Sequence, residues 1–265
     1  MSYASLFGQL FDQKSALAIA VIFVPLERLL PLRRSQAILR KGWKTDLIYL
    51  LLNSALMNIA IVLGIATILS LKAKIIWSVI PEPVAHQPLW LQVIELILVA
   101  DLAHYWMHRM FHSPMLWSFH ALHHSTEELD WLATFRVHPV DHVPTSIVML
   151  LPVLAFGWSP WAVGVWGSIY RGHAILQHAN IRLPLGRFGL AVVGPEFHRW
   201  HHSTAGEARN KNFAAQFALW DVLFGTHYLP QGVCSDSYGI EETIPTKYVD
   251  QLCHPFRELR QKLRN

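Results

Sequence analysis

Histidine spacing constrains this chain more than any other feature. Residues 101–125 read DLAHYWMHRMFHSPMLWSFHALHHS and hold His104-x-x-x-His108, then His120-x-x-His123-His124. The second spacing returns as His198-x-x-His201-His202. On a helix, residues three and four apart share a face, so each cluster can aim its imidazoles at one point. Imidazole is a good ligand for iron, zinc, copper and nickel. Eight histidines in three clusters exceed what one tetrahedral zinc takes and suit two ions with mostly nitrogen ligands. The fold must therefore bring three separate helical segments to one place.

Composition sets the surroundings. Of 265 residues, 52% are hydrophobic and 15% charged, against about a quarter charged in soluble domains. That balance points to an integral membrane protein. The net charge of +4 comes with no long basic run, which gives no reason to expect nucleic-acid binding. Cys234 and Cys253 form no C-x-x-C pair and no disulfide framework. With only Lys14 before the first apolar run, the N-terminus reads as an uncleaved membrane segment.

In chain order, Ser15–Leu26 is uncharged and is expected to be a membrane helix, with Glu27 and Arg28 pairing or lying at the interface. Residues 33–46 carry Arg33, Arg34, Arg40, Lys41 and Lys44 against Asp46, a short basic loop expected on the cytoplasmic side. Leu47–Leu71 is long enough to span a bilayer, and residues 72–88 form a proline-bearing link. The segment 89–107 then returns with Glu95 and Asp101, placing His104 and His108 at its cytoplasmic end. Asp101 shares a face with both histidines. It either holds a ligand imidazole or marks the helix end at the interface. Residues 143–170 are uncharged, with a turn signal at Gly157-Trp-Ser-Pro160. Because the third cluster must rejoin the first two, a hairpin of two short arms is expected there rather than a single crossing. The expected divisions are 1–88 (membrane helices and linker), 89–230 (catalytic) and 231–265 (polar tail).

The ordered set HX3H, HX2HH, HX2HH among apolar segments resembles the fatty acid hydroxylase / sterol desaturase superfamily of membrane di-iron enzymes. Arg136-Val-His-Pro139, Gln177-His-Ala-Asn-Ile181 and Trp220-Asp-Val-Leu-Phe-Gly-Thr226 fit the same resemblance. It implies an all-α membrane helical bundle with a cytoplasmic histidine-rich cap holding two metals. It also implies two iron ions, dioxygen as co-substrate, and a lipid or sterol-like substrate that is hydroxylated or desaturated. A separate protein would donate the electrons. His104, His108, His120, His123, His124, His198, His201 and His202 form the core ligand set, with Asp101 behind them. The resemblance adds His178, His138 and His173, the last two as ligands or supporting groups. His112 is left out because Ser113-Pro114 ends the helix there. His86, His227 and His254 are read as ordinary polar residues. Asn212 and Asp221 receive no catalytic role, and Ala214 stands where the family commonly has glycine. The competing readings are a non-redox zinc hydrolase, although no H-E-x-x-H is present, and a non-catalytic metal-binding scaffold.

Overall fold

The computed structural model describes residues 13–53, 84, 86–230 and 234–264, with 55–56, 59, 62–64, 66–67 and 70 between them. Among these the architecture is helical, and three isolated bridges stand in place of any sheet. The helices are α1 (Gln13–Leu29), α2 (Trp43–Ile48), α3 (Leu89–Phe111), α4 (Trp117–His124), α5 (Pro139–Phe156), α6 (Pro160–His178), α7 (Pro195–His201), α8 (Leu219–Leu223) and α9 (Tyr248–Lys262). The described residues of the helix expected over 47–71 are all helical, with a π-helical stretch at Tyr49–Asn53, while the link after it falls largely outside the described residues.

Three helices build the main core. Val93, Leu96 and Ala100 of α3 pack on Met149, Leu150 and Val153 of α5 and on Ala162, Val163 and Trp166 of α6. Local sequence explains the α5–α6 hairpin. Gly157 takes φ 75°, a left-handed position that ends α5 at little cost only for glycine. Ser159 then caps α6 by accepting from the Ala162 N–H, with Pro160 at the first helical position. Gln92 of α3 accepts the Ser159 N–H at 2.8 Å, and Glu95 accepts from the Trp158 indole at 3.2 Å. These bonds fix the turn near the N-terminal end of α3. His108 lies 19 residues after Leu89, about 28 Å along the helix.

The arms run 18 and 19 residues, longer than the uncharged stretch implied. Asp141, His142, Arg171 and His178 lie within these helices, and their side chains line a cavity. The segment 231–265 is more than a polar tail: α9 packs on α4, with the Phe256 and Phe119 rings 5.2 Å apart.

The basic segment 33–46 is not a simple solvated loop. Arg40 is buried and donates to Asp46 at 2.6 Å and Asp130 at 2.7 Å, while Arg136 Nε meets the other Asp46 oxygen at 2.5 Å. Paired charges with good geometry tolerate burial where single ones do not. Glu27 is also buried, accepting the Trp131 and Asn180 N–H groups at 2.8 Å each. The N-terminal segments are thereby bound to the body that carries the histidines.

Candidate metal centre

Four segments converge. The short helices α4 and α7 each present an HX2HH face, and α7 starts cleanly because Pro195 sits at its first position. The C-terminal end of α3 supplies His108 and His112, and the last residue of α6 supplies His178. The result is two groups, His108, His112, His120, His124 and His201 in one, and His123, His178, His198 and His202 in the other. Within each, the candidate ligand nitrogens all lie within 4.8 Å of one another.

Hydrogen bonding on the outer side of the rings fixes what faces inward. His108 Nδ1–H donates to the Phe213 carbonyl (2.8 Å), His123 to Arg136 (3.2 Å), His178 to Ala174 (2.9 Å) and His201 to Lys211 (2.8 Å). His120 Nδ1 meets the Asp141 carboxylate at 2.6 Å. An imidazole that donates from Nδ1 keeps a lone pair on Nε2. The Nε2 atoms crowd together: His120 lies 3.1 Å from both His108 and His124, His123 lies 3.1 Å from His178, and His198 lies 3.0 Å from His178 and 3.1 Å from His202. The Nε2 atoms of His112 and His201 are buried without a protein partner. Lone pairs facing one another repel unless a cation sits among them. Nitrogens about 2.1 Å from one ion lie about 3.0–3.4 Å apart, which fits these separations. A pair of divalent, nitrogen-loving ions therefore suits the residues present.

The placement of the other expected residues differs. His104 joins neither group, while His112 joins the first. The helix does end at Phe111, but His112 is its C-cap at φ −80°, and its ring still packs 4.8 Å from those of His120 and His201. The signal that could have found it is a second HX3H frame, His108 to His112. His138 and His173 lie outside both groups. His138 caps α5, accepting the Val140 N–H while its Nε2–H donates to Leu252, and His173 donates to Val193.

Asp101 does not hold an imidazole. It is fully buried, and its carboxylate accepts the Ala215, Gln216 and Phe217 N–H groups at 2.9, 3.0 and 2.7 Å. Three backbone donors leave it no room for a histidine. The carboxylate that meets a ring is Asp141, adjacent in sequence to none of the clusters. Asp221 grips the Phe213 and Ala214 N–H groups at 2.8 Å each, and Asn212, at φ 62°, ties the loop to Phe197 and Tyr228. Asp101, Asp221 and Asn212 thus hold the loop whose Phe213 carbonyl orients His108. Ala214 has an ordinary negative φ and a buried methyl, so alanine is accommodated where glycine was expected.

A cavity of about 220 Å³ opens beside the groups. His108, His120, His123, His178 and His198 line it, and the rest of its wall sets Met149, Leu150, Phe135 and Trp166 beside polar groups such as Asp141, His142, Tyr170 and Arg171. On the opposite side Trp117 packs 5.2 Å from His112 and 5.3 Å from His124. Burial pushes the imidazoles of His112, His123, His124, His198, His201 and His202 below their usual value of 6.5. They are therefore neutral near pH 7, the form that binds metal.

A family model described as fatty acid hydroxylase matches residues 93–226. Ornithine lipid hydroxylase OlsE of Rhizobium tropici is 32% identical over 177 residues, covering 66% of this chain and 53% of that protein. Alkylglycerol monooxygenase of Homo sapiens is 31% identical over 137 residues, 49% of this chain and 29% of that protein. Methylsterol monooxygenase 1-2 of Arabidopsis thaliana is 30% identical over 143 residues, 51% of this chain and 46% of that protein. The matches thus span about half the length of these relatives, or less. No solved structure matches the chain.

Proposed function

We propose, starting from the fact that the chain belongs to the fatty acid hydroxylase family, that it is an integral membrane di-iron monooxygenase acting on a lipid or sterol-like substrate. The reaction is R–H + O2 + 2 electrons + 2 protons → R–OH + water, the electrons coming from a separate donor protein. Hydroxylation is favoured over desaturation because the relatives are named as hydroxylases and monooxygenases.

One observation carries this reading: nine imidazoles gather in two groups, seven of them with Nε2 atoms 3.0–3.1 Å from another ring's Nε2, and five have Nδ1 held by a carbonyl or carboxylate. Bound there, iron would supply with dioxygen the oxidising power that no side chain has. The chain's own residues do the rest. Asp141 and the carbonyls hold the rings in one tautomer. Met149, Leu150 and Trp166 give an apolar chain a dry wall.

The membrane reading has two supports. The helix α3 is the one described helix long and apolar enough to cross a bilayer. Apolar side chains also face outward on four helices, among them Val21 of α1, Trp90 and Ile94 of α3, Leu151 of α5 and Trp161 and Val165 of α6. The bonds from Arg40 and Asp46 to Asp130 and Arg136 put the basic segment beside the histidine groups, which favours a cytoplasmic site. Residues 89–230 form the catalytic part in this reading.

The test is metal analysis of protein purified in mild detergent, with oxygen uptake followed after anaerobic reduction. Two irons per chain and uptake that needs reduction are expected. Zinc that resists exchange for iron, with no uptake, overturns the proposal.

A further inference from the structure

We infer that His104 is a hydrogen-bond donor to an oxygen atom of the substrate, set in that role by Tyr170. The inference rests on the monooxygenase reading for the identity of the ligand, and on geometry for the site.

His104 lies one helical turn before His108 on α3, with ring centroids 5.3 Å apart, and it lines the cavity. It neighbours the two groups yet belongs to neither, and it is partly exposed where eight of their nine members are buried. The difference is in what holds its Nδ1. Five group histidines meet a carbonyl or carboxylate there, which can only accept, so their Nε2 keeps a lone pair. His104 Nδ1 instead lies 3.2 Å from the Tyr170 hydroxyl. A phenol O–H is a good donor, and an imidazole nitrogen is a good acceptor. With Tyr170 donating, the His104 proton resides on Nε2, the inverse of the neighbouring tautomers. No protein acceptor meets that Nε2–H among the described residues.

The tautomer that unfits His104 for a metal fits it for a ligand. A neutral N–H on the cavity wall, next to the histidine groups, recognises an acceptor such as a hydroxyl, ether or carbonyl oxygen, whatever the other polar lining groups such as His142 and Arg171 meet. Leaving either group unmatched in a dry site is costly, so the donor selects against a bare hydrocarbon. Because His104 adjoins His108, that oxygen sits within a few bonds of the carbon presented to the metals. The favoured ligand is therefore an oxygen-bearing lipid oxidised near its oxygen, with the apolar chain running along Met149 and Leu150. Tyr170 is a positioning residue, acting through His104.

The experiment uses the full chain in detergent with its metal complement. It compares binding of radiolabelled 1-hexadecanol and hexadecane to wild type, His104→Leu, His104→Gln and Tyr170→Phe, with metal content measured on each. The ratio of the two dissociation constants removes the partitioning of probes into micelles. His104→Leu is expected to keep its metal and to reduce the preference for the alcohol about 10-fold. Tyr170→Phe should reduce it about 3-fold, since the proton is then free to move to Nδ1. His104→Gln, which keeps an N–H, should retain most of it. Metal loss in His104→Leu would make His104 a ligand and overturn the inference, as would an unchanged preference in that variant. Metal content and oxygen uptake of wild type test the monooxygenase reading separately, so the two can fail independently.

Discussion

The two histidine groups differ in number, anchoring and access. The first has five imidazoles, and a carboxylate, Asp141, backs one of them. The second has four, anchored on the backbone carbonyls of Arg136 and Ala174. Two of the five in the first line the cavity, against three of the four in the second. Trp117 covers the outer side of the first. A smaller neutral set beside an open cavity leaves room for a small molecule, while a larger set with an anion behind it holds its ion more fully. In the proposed reading, the difference would give retention mainly to the first group and access mainly to the second.

Substituting a member of each group gives the largest effects. His123→Ala and His201→Ala should each lower metal content and cut oxygen-dependent activity more than about 100-fold, since loss of a direct ligand exceeds the 10–100-fold typical of supporting partners. Full activity in His123→Ala would break the two-ion assignment. Asp101→Ala removes the acceptor for three buried N–H groups and should cost about 2–3 kcal/mol in thermal or denaturant unfolding. Because the freed loop carries Phe213, the same variant should lose metal from the first group before the second. Equal loss from both would erase the distinction.

Asp141→Asn is predicted to weaken metal binding at the first group about 10-fold or more while sparing the second, as titrated with a chelator. Acid should act on the metal-stripped protein in a predictable direction. Burial holds the His198, His201 and His202 values below 6.5 in the folded state, so the unfolded chain takes up protons first as pH falls. Stability of the stripped protein is thus present above about pH 6.5 and lost below it. Melting temperatures that do not fall between pH 8 and pH 5.5 would contradict this. His227→Ala, outside both groups, should change neither metal content nor activity.

The faces that α4 and α7 present were legible in the sequence because HX2HH spacing is a local property of a helix. The first cluster gathers differently from its spacing, with His112 in the place of His104, for a physical reason. His104, His108 and His112 recur every fourth residue, so two HX3H frames overlap. Which pair meets the other segments depends on where loop 206–217 returns, a long-range fact. His104 sits about 6 Å before His108 along the helix axis, beside Tyr170 rather than among the converging rings. The proline after His112 was a true helix stop, yet a C-cap side chain can still face inward. Asp101 misled for the same kind of reason. Periodicity places it on the histidine face, but its partners are backbone amides more than a hundred residues away. The hairpin followed from its turn residues, while its true length was hidden because polar residues lining a cavity look like helix ends.

The buried charges that join the N-terminal segment to the site also bear on how the chain is made. Arg40 leaves the ribosome 90 residues before Asp130, and Asp46 only six residues after it. Of the two acids that Arg40 meets, Asp46 is thus the one already in the chain before residue 130 has been made. Once Asp130 and Arg136 arrive, the same carboxylate bridges both arginines. One acid in a basic stretch is thus both the first of these partners to reach Arg40 and the one that ties it to Arg136.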